Sequence, residues 1–290
     1  MYTIVTDSCS DFNRELIAGE EQLVILPMSY TLSGQTHTQV FYSEEEVKNF
    51  YNRLRAGEMC TTAQVSPGEF YEAFKAEAQK GNAVLSIQFS SALSGTCDAA
   101  RMAKEMVLEE YPDAVIDVVD TKGASAGEGL MVYDALLNRK AGMTLEENAA
   151  WLRERVQNYG QWFTVDDLNF LKRGGRCSPS AAFFGSLLSI KPVLHVDESG
   201  KLIAREKVRG RKQALMMLAK KFGEWGDGAD QFMFISHGDC MEDALFLKNE
   251  LVEKYGCNAE KIILSDVGPV IGSHSGPGTV AFFFHAKARG

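Results

Sequence analysis

Short apolar segments alternate with longer amphipathic segments throughout the first half of the chain. The apolar segments are rich in β-branched residues and predict buried strands at residues 2–6, 83–87 and 115–119. The amphipathic segments predict helices at residues 43–56, 97–110 and 144–158, with two more that begin at Pro67 and within residues 123–129. This alternation is typical of a mostly parallel sheet with helices on its faces.

Capping residues support these helix starts. Ser43 is followed three residues later by Glu46, which is the spacing of a capping box, and residues 144–147 repeat the pattern. By the same logic, we expect Asp11 to cap a helix over residues 12–18.

The pattern changes after residue 160. Strands are predicted at residues 161–165, 193–196, 201–208, 231–235, 261–264 and 279–285, and helices at residues 209–224 and 241–254. Residues 197–200 form a hairpin turn between two of these strands. Hairpins mixed with helices predict an α+β domain.

We therefore predict an α/β protein with two domains. Residues 1–160 form an N-terminal α/β domain with a small β excursion at about 22–42, and residues 161–290 form a C-terminal α+β domain. The length of 290 residues also favours two domains, because one hydrophobic core rarely grows that large.

The composition is that of a globular protein, with 45% hydrophobic and 24% charged residues. No apolar run reaches the length of a membrane span, and the first residues lack the basic cluster of a signal peptide. The six cysteines are scattered, which argues against a zinc site or a disulfide framework. We expect a cytoplasmic protein without a metal.

Positive charge is concentrated in one window of an acidic chain. Residues 170–215 hold ten basic and three acidic residues, so the window carries +7 while the whole chain carries −9. Such a window is either a docking face for an acidic or phosphorylated partner or an ordinary solvated face. Nucleic-acid binding is not expected, since the pI is about 5.2 and no recognition motif is present.

Four turns rich in hydroxyl groups or glycine are candidates for ligand contact, at residues 61–62, 90–96, 235–239 and 268–279, and a further polar turn follows the first predicted strand at residues 6–8. The turn at 90–96 precedes a helix, so its hydroxyl and backbone N–H groups lie at the positive end of that helix and favour an anion. The alternative is a serine-rich N-cap without a ligand. The segment 268–279 predicts a rigid loop around His274.

These groups suit two kinds of chemistry. A hydrolase is conceivable, with Ser94 or Ser91 as nucleophile, His274 as base, and Asp7 or Asp120 orienting the histidine. Against it, the serines lack the Gly-x-Ser-x-Gly elbow. Hydroxyl and amide donors without a strong nucleophile are better suited to holding a carboxylate or phosphate.

A set of short motifs gives the chain a resemblance to the DegV family along nearly its whole length. They are Thr6-Asp7-Ser8, Thr62-Ala63-Gln64-Val65-Ser66-Pro67, Ser91-Ala92-Leu93-Ser94-Gly95-Thr96, Leu171-Lys172-Arg173-Gly174-Gly175-Arg176, Lys191-Pro192, Arg209-Gly210-Arg211-Lys212 and Gly272-Ser273-His274-Ser275-Gly276-Pro277-Gly278-Thr279. The resemblance implies a two-domain protein that buries one long-chain fatty acid between its domains. It also implies, for members of the FakB type, that a separate kinase phosphorylates the carboxylate for phospholipid synthesis.

The resemblance assigns residues to these roles by position. Those implied to hold the carboxylate are Thr62, Ser94, Gly95 and His274, and the secondary candidates are Ser91, Thr96, Asp7, Ser8 and Ser275. Those implied to face the kinase are Arg173, Arg176 and Arg209. The chain departs from the family pattern at Ala63 and Val65, which leaves the path of the Thr62 turn open, and at Cys177, which matters less.

On this view the protein is a lipid-binding subunit and not an enzyme. It needs no cofactor, and its partners are the fatty acid, the kinase and, transiently, a membrane. A lipid-ester hydrolase and a phosphate-ligand or small-molecule kinase domain stay open as alternatives, although no Walker-type glycine–lysine loop is present.

Overall fold

The computed structural model describes residues 2–177 and 190–290 of the chain. Its first sheet contains four strands: β1 (Tyr2–Asp7), β2 (Leu23–Leu26), β6 (Ala83–Gln88) and β7 (Ile116–Asp120). Their order is β2-β1-β6-β7, and every pairing is parallel. The strands predicted at 2–6, 83–87 and 115–119 are therefore confirmed.

Helices cover both faces of this parallel sheet. They are α1 (Glu44–Arg55), α2 (Pro67–Gln79), α3 (Thr96–Glu110), α4 (Ala126–Lys140) and α5 (Leu145–Arg155). Apolar side chains of α1, α2 and α3 form one core with the sheet, and those of α4 and α5 form another. The capping boxes predicted for α1 and α5 are present.

A small antiparallel sheet lies beside the parallel one. It contains β3 (Ser29–Leu32), β4 (Gln35–Thr38) and β5 (Cys60–Ala63), in the order β4-β3-β5. The β excursion predicted at about 22–42 therefore begins later, at Ser29, because Leu23–Leu26 pairs with β1 and Pro27 separates the two strands. Strand β5 was not predicted, since its sequence, Cys-Thr-Thr-Ala, resembles a polar turn.

The second half of the chain forms a six-stranded mixed sheet. Its strands are β8 (Tyr159–Thr164), β9 (Ile190–Val196), β10 (Leu202–Arg209), β11 (Met233–His237), β12 (Ile262–Asp266) and β13 (Val280–His285). Their order is β10-β9-β8-β13-β11-β12, in which β11 and β12 are parallel and the other described pairings are antiparallel. The helices in the described part of this half are α6 (Asn169–Arg173), α7 (Arg211–Trp225), α8 (Met241–Tyr255) and α9 (Pro269–Ser275).

Helix α4 lies between the two larger sheets. Its buried side chains share one core with residues of β1 and β6 on one side and of β11 and β13 on the other. Gly127 lets α4 approach the second sheet, because a Cβ atom at this position would lie 2.6 Å from the ring of Phe283. On the far face of the second sheet, α7 and α8 form a separate core with it.

Two local predictions are wrong. Residues 12–18 form turns and no helix, and Asp11 adopts a left-handed conformation with φ of 45°. Asp7 is the capping residue instead, because its side chain accepts a hydrogen bond from the Cys9 N–H at the start of a short 3-10 helix. The segment 268–279 is also not a continuous loop, since α9 begins at Pro269.

The predicted fold class is confirmed, with a parallel sheet covered by helices in the first half and an α+β arrangement in the second. All strands of the parallel sheet precede α5 in the chain, and the strands of the six-stranded sheet begin with β8. The division into two domains at residue 160 stays a prediction.

Candidate ligand-binding site

A cavity of about 370 Å³ is enclosed by residues from both halves of the chain. Its walls are mainly apolar, and the side chains that line it include Phe89, Leu93, Phe163, Val196, Leu202, Ala281 and Phe283. The volume lies within the range of about 300–1,000 Å³ that is usual for small-molecule sites. A mostly apolar chamber of this size suits a hydrocarbon chain.

One group of polar side chains in the cavity wall is centred on His274. Its Nε2 atom lies 2.8 Å from the Thr62 hydroxyl, so a residue of α9 is joined to a residue of β5 although 212 positions separate them. Burial, together with the positive charge of Arg176, lowers the pKa of His274 to about 4. The imidazole is therefore neutral at pH 7.

The surroundings of His274 also favour one tautomer. Its Nδ1 atom is buried without a hydrogen-bond partner among the described residues, and it lies 2.3 Å from the position that a Cβ on Gly174 would take. A proton on Nδ1 would thus have no acceptor, which favours the tautomer protonated at Nε2. The Nε2–H then donates to the Thr62 oxygen, and the Thr62 O–H is left to donate to a ligand.

The amino end of α3 contributes a second group of donors. Ser94 and Gly95 line the cavity immediately before α3, and Gly95 occupies the N-cap without any side-chain cap. The Ser94 hydroxyl lies 2.9 Å from that of Thr96. The first N–H groups of a 15-residue helix and its positive dipole end therefore lie at the cavity, where they favour an anion.

Arg176 supplies a positive charge at the cavity wall. Its guanidinium donates to the carbonyl oxygens of Leu93, at 3.3 Å, and Gly174, at 2.5 Å. Arg176 is half-buried and lines the cavity, so it differs from the surface residue that the resemblance implied. The charge is well placed to attract an anionic headgroup.

Arg173 and Arg209 lie on the surface, as the resemblance implied. Both are exposed. The Arg173 guanidinium lies 4.5 Å from the centre of the Phe170 ring, and Arg209 is the last residue of β10. Neither residue lines the cavity.

The carboxylate candidates do not all reach the cavity. Those that line it are Thr62, Ser94, Gly95, His274 and Ser275. Those outside its lining are Ser91, Thr96, Asp7 and Ser8, and each has a partner in the protein. The Ser91 hydroxyl, for example, donates to Asp120 at 2.5 Å.

Some lining residues were not predicted. Gln64 was noticed only as part of a motif, and Cys9, Met28 and Ser125 were not singled out. Gln64 could have been found from its position two residues after Thr62 on a chain segment that reaches the cavity. The apolar lining gives no such signal, because its residues have the same composition as the core.

The arrangement does not fit a serine hydrolase. The hydroxyl of Ser94 is hydrogen-bonded to Thr96, and that of Ser91 to Asp120, while His274 is hydrogen-bonded to Thr62.

Among residues 2–177 and 190–290, no group of three or more His, Cys, Asp or Glu side chains could hold a metal ion. In the same part of the chain, no helix is both long and apolar enough to cross a bilayer.

A larger cleft of about 610 Å³ shares Val270 of α9 with this cavity but has a different character. Its walls include Asp11, Asp266 and His237, and they are more polar than those of the cavity. Carboxyl groups at its surface do not favour an anionic ligand. The smaller cavity is therefore the better candidate.

Residues 1–287 match the family model described as "Uncharacterised protein, DegV family". A DegV domain-containing protein of Clostridium perfringens is 41% identical over 284 residues, which cover 98% of this chain and 97% of that protein.

The chain is also similar to solved structures of DegV family proteins. The chain is similar to a DegV family protein from Thermus thermophilus described as fatty-acid binding, with a TM-score of 0.87, 32% identity and coverage of 98% and 99% of the two chains. It is also similar to DegV of Bacillus subtilis, described as a fatty acid binding protein, with a TM-score of 0.80, 29% identity and 99% coverage of both chains.

Proposed function

The chain belongs to the DegV family, and from this premise we propose that it binds one long-chain fatty acid in the cavity between its two halves. The observation that carries the proposal is the combination of an apolar cavity with hydroxyl, amide and guanidinium donors in its wall. Relatives described as fatty-acid binding support it.

The tail provides most of the affinity. Burial of apolar chain is worth about 0.8 kcal/mol per methylene, so sixteen carbons give on the order of 12 kcal/mol before the cost of association. The polar groups then set the orientation of the ligand. The Thr62 hydroxyl, the Ser94 hydroxyl and the first amides of α3 donate to the carboxylate, and each such bond is strengthened by its charge.

A titration of the delipidated protein with palmitate tests this binding. We expect saturable binding of one molecule per chain, and we expect Ala281→Phe to abolish it, because Ala281 is a buried residue of the cavity wall. Thermal unfolding of the variant provides the control for folding. A variant that is folded and binds palmitate as tightly as the wild type would contradict this use of the cavity.

The finer part of the proposal is that the protein presents the carboxylate to a separate fatty-acid kinase in the cytoplasm. The acyl phosphate formed there feeds phospholipid synthesis. The basic window at residues 170–215, in which Arg173 and Arg209 are exposed, supports docking of a partner. The sequence has no Walker-type loop, which supports a separate kinase. Transient contact with a membrane would allow the lipid to enter and leave.

A reconstituted assay with such a kinase tests the presentation. We expect Arg173→Glu and Arg209→Glu to slow acyl-phosphate formation while leaving palmitate affinity unchanged, because neither residue lines the cavity. Lys140→Glu, a charge reversal on α4 outside the +7 window, is the matched control. Equal rates for all three variants would argue against a docking role for this surface.

A further inference from the structure

Gln64 lies in the cavity wall one residue beyond the end of β5. It belongs to a run of three successive residues, Thr62, Ala63 and Gln64, that all line the cavity. The residue is exposed, so its side chain lies where the cavity meets the surface. Its side-chain amide has no hydrogen-bond partner among the described residues, which leaves two N–H donors and one oxygen for another partner.

The Gln64 amide lies directly against the amino end of α3. A Cβ atom on Gly95 would lie 2.3 Å from the Gln64 Oε1 atom, 3.1 Å from Cδ and 3.2 Å from Nε2. The Gly95 backbone has φ of −75° and ψ of 3°, which other residues also adopt. The close approach of Gln64 is therefore what a side chain at this position would disturb, because a Cβ atom would displace the flexible end of the glutamine.

Two groups that can donate to a ligand thus lie side by side. The N-cap residue Gly95 provides no side-chain cap for α3, and the neighbouring Gln64 amide has no hydrogen-bond partner among the described residues. Both belong to the cavity wall, to which Ser94 also contributes. A ligand that accepts hydrogen bonds from the α3 amides would lie within reach of the Gln64 amide as well.

We propose that Gln64 is a specificity-determining residue, whose amide N–H donates to the carboxylate of the bound fatty acid and selects an acid over the corresponding alcohol. This role rests on the proposed function. The preference arises because a hydrogen bond to a charged acceptor is roughly twice as strong as one to a neutral acceptor. Gly95 contributes to the same contact, since its missing side chain lets the amide lie beside the start of α3.

The test is competition between palmitate and hexadecanol for the delipidated protein, read out by displacement of a fluorescent fatty acid. Loss of one charge-assisted hydrogen bond corresponds to about a tenfold change in affinity. We expect Gln64→Ala to weaken palmitate about tenfold and hexadecanol much less. Gln64→Glu should weaken palmitate further, because it places a second negative charge beside the carboxylate.

Gly95→Ala gives an independent route to the same change. The new methyl group would displace the flexible end of Gln64, so the acid-over-alcohol preference should fall as in Gln64→Ala. If both substitutions act through one contact, the double variant should lose no more than either single variant. The matched control is Gln213→Ala, which removes an exposed glutamine of α7 and should leave both affinities unchanged.

The outcomes distinguish fatty-acid binding by the protein from the role of Gln64 in that binding. If wild-type protein binds neither ligand, the proposed function is wrong and the role of Gln64 is wrong with it. If wild-type protein prefers palmitate and Gln64→Ala keeps the same preference, fatty-acid binding stands and the role of Gln64 is overturned. If the losses of palmitate affinity add in the double variant, Gln64 and Gly95 do not act through one contact.

Discussion

At the scale of single residues, Thr62 and His274 form a neutral polar pair in the cavity wall. Burial holds the imidazole in its neutral form, and its Nε2 atom lies 2.8 Å from the Thr62 hydroxyl. In the proposed function, this pair binds the headgroup without supplying a nucleophile or a base.

Thr62→Val tests this pair, because valine keeps the shape of threonine and removes the hydroxyl. We expect palmitate affinity to fall by up to about tenfold, since the tail contacts remain and one charge-assisted hydrogen bond is lost. Thr62→Ser is the matched control and should keep most of the affinity. Unchanged affinity in the valine variant would show that Thr62 does not contact the headgroup.

In the proposed function, Ser94 contributes to the orientation of the carboxylate. It lies in the cavity wall at the amino end of α3, so its loss should disturb the position of the carboxylate more than the hold on the tail. We expect Ser94→Ala to retain palmitate and to slow its phosphorylation in the reconstituted kinase assay. A normal rate of acyl-phosphate formation would count against this role.

Asp11 couples stability to pH. Burial raises its pKa to about 7, although its oxygens accept hydrogen bonds from Ser125 and from the Gly268 N–H. Between the normal value of 3.8 and about 7, the folded protein binds more protons than the unfolded chain, so Asp11 destabilises the fold progressively as pH rises through this window. Above about pH 7 the effect is constant.

Asp11→Asn isolates that contribution. The buried histidines His195 and His274 have lowered pKa values and act in the opposite direction, so the informative quantity is the difference between variant and wild type. We expect the stability of the variant relative to wild type, measured by urea unfolding, to increase from pH 4 to pH 7 and then level off. A difference that is independent of pH would contradict a protonated Asp11.

At the scale of elements, α4 is the helix whose packing is most restricted, because it lies between the two larger sheets. Gly127→Ala would force a methyl group against Phe283, and we expect a loss of about 1–3 kcal/mol in the free energy of unfolding. Gly68 occupies a similar place near the start of α2, but a Cβ there meets only one atom, at 3.9 Å.

Gly68→Ala is therefore the matched control for α4. Alanine is favoured over glycine in a helix, so this variant should be as stable as wild type or up to about 1 kcal/mol more stable. Denaturant unfolding of the two variants measures both effects. Equal stabilities would mean that α4 does not approach the second sheet as closely as described.

The elements also show what the sequence could and could not predict. Ser43 with Glu46 caps α1 through contacts within four residues, and this capping box was predicted correctly, whereas the single capping residue predicted at Asp11 was wrong. Helix α9 was missed because long-range contacts hold it among glycines and prolines; the Gly268 N–H before it, for example, donates to Asp11. Strand β5 was missed for the same reason, since its pairing with β3 decides its conformation.

At the scale of the whole molecule, the site exists only because distant parts of the chain meet. The family resemblance pointed to Thr62, Ser94 and His274, and all three line the cavity. The apolar wall could not be predicted, because Phe163 and Phe283 have the same character whether they face a cavity or a core. The cavity therefore emerged only from the packing of the two halves.

The most direct test of the account is native mass spectrometry of the purified chain, compared with the same sample after denaturation. If the cavity holds one long-chain fatty acid, the native mass will exceed the denatured mass by one fatty acid per chain, and solvent extraction will release that acid. A native mass equal to that of the bare chain, in protein that also fails to take up added palmitate, would contradict the account.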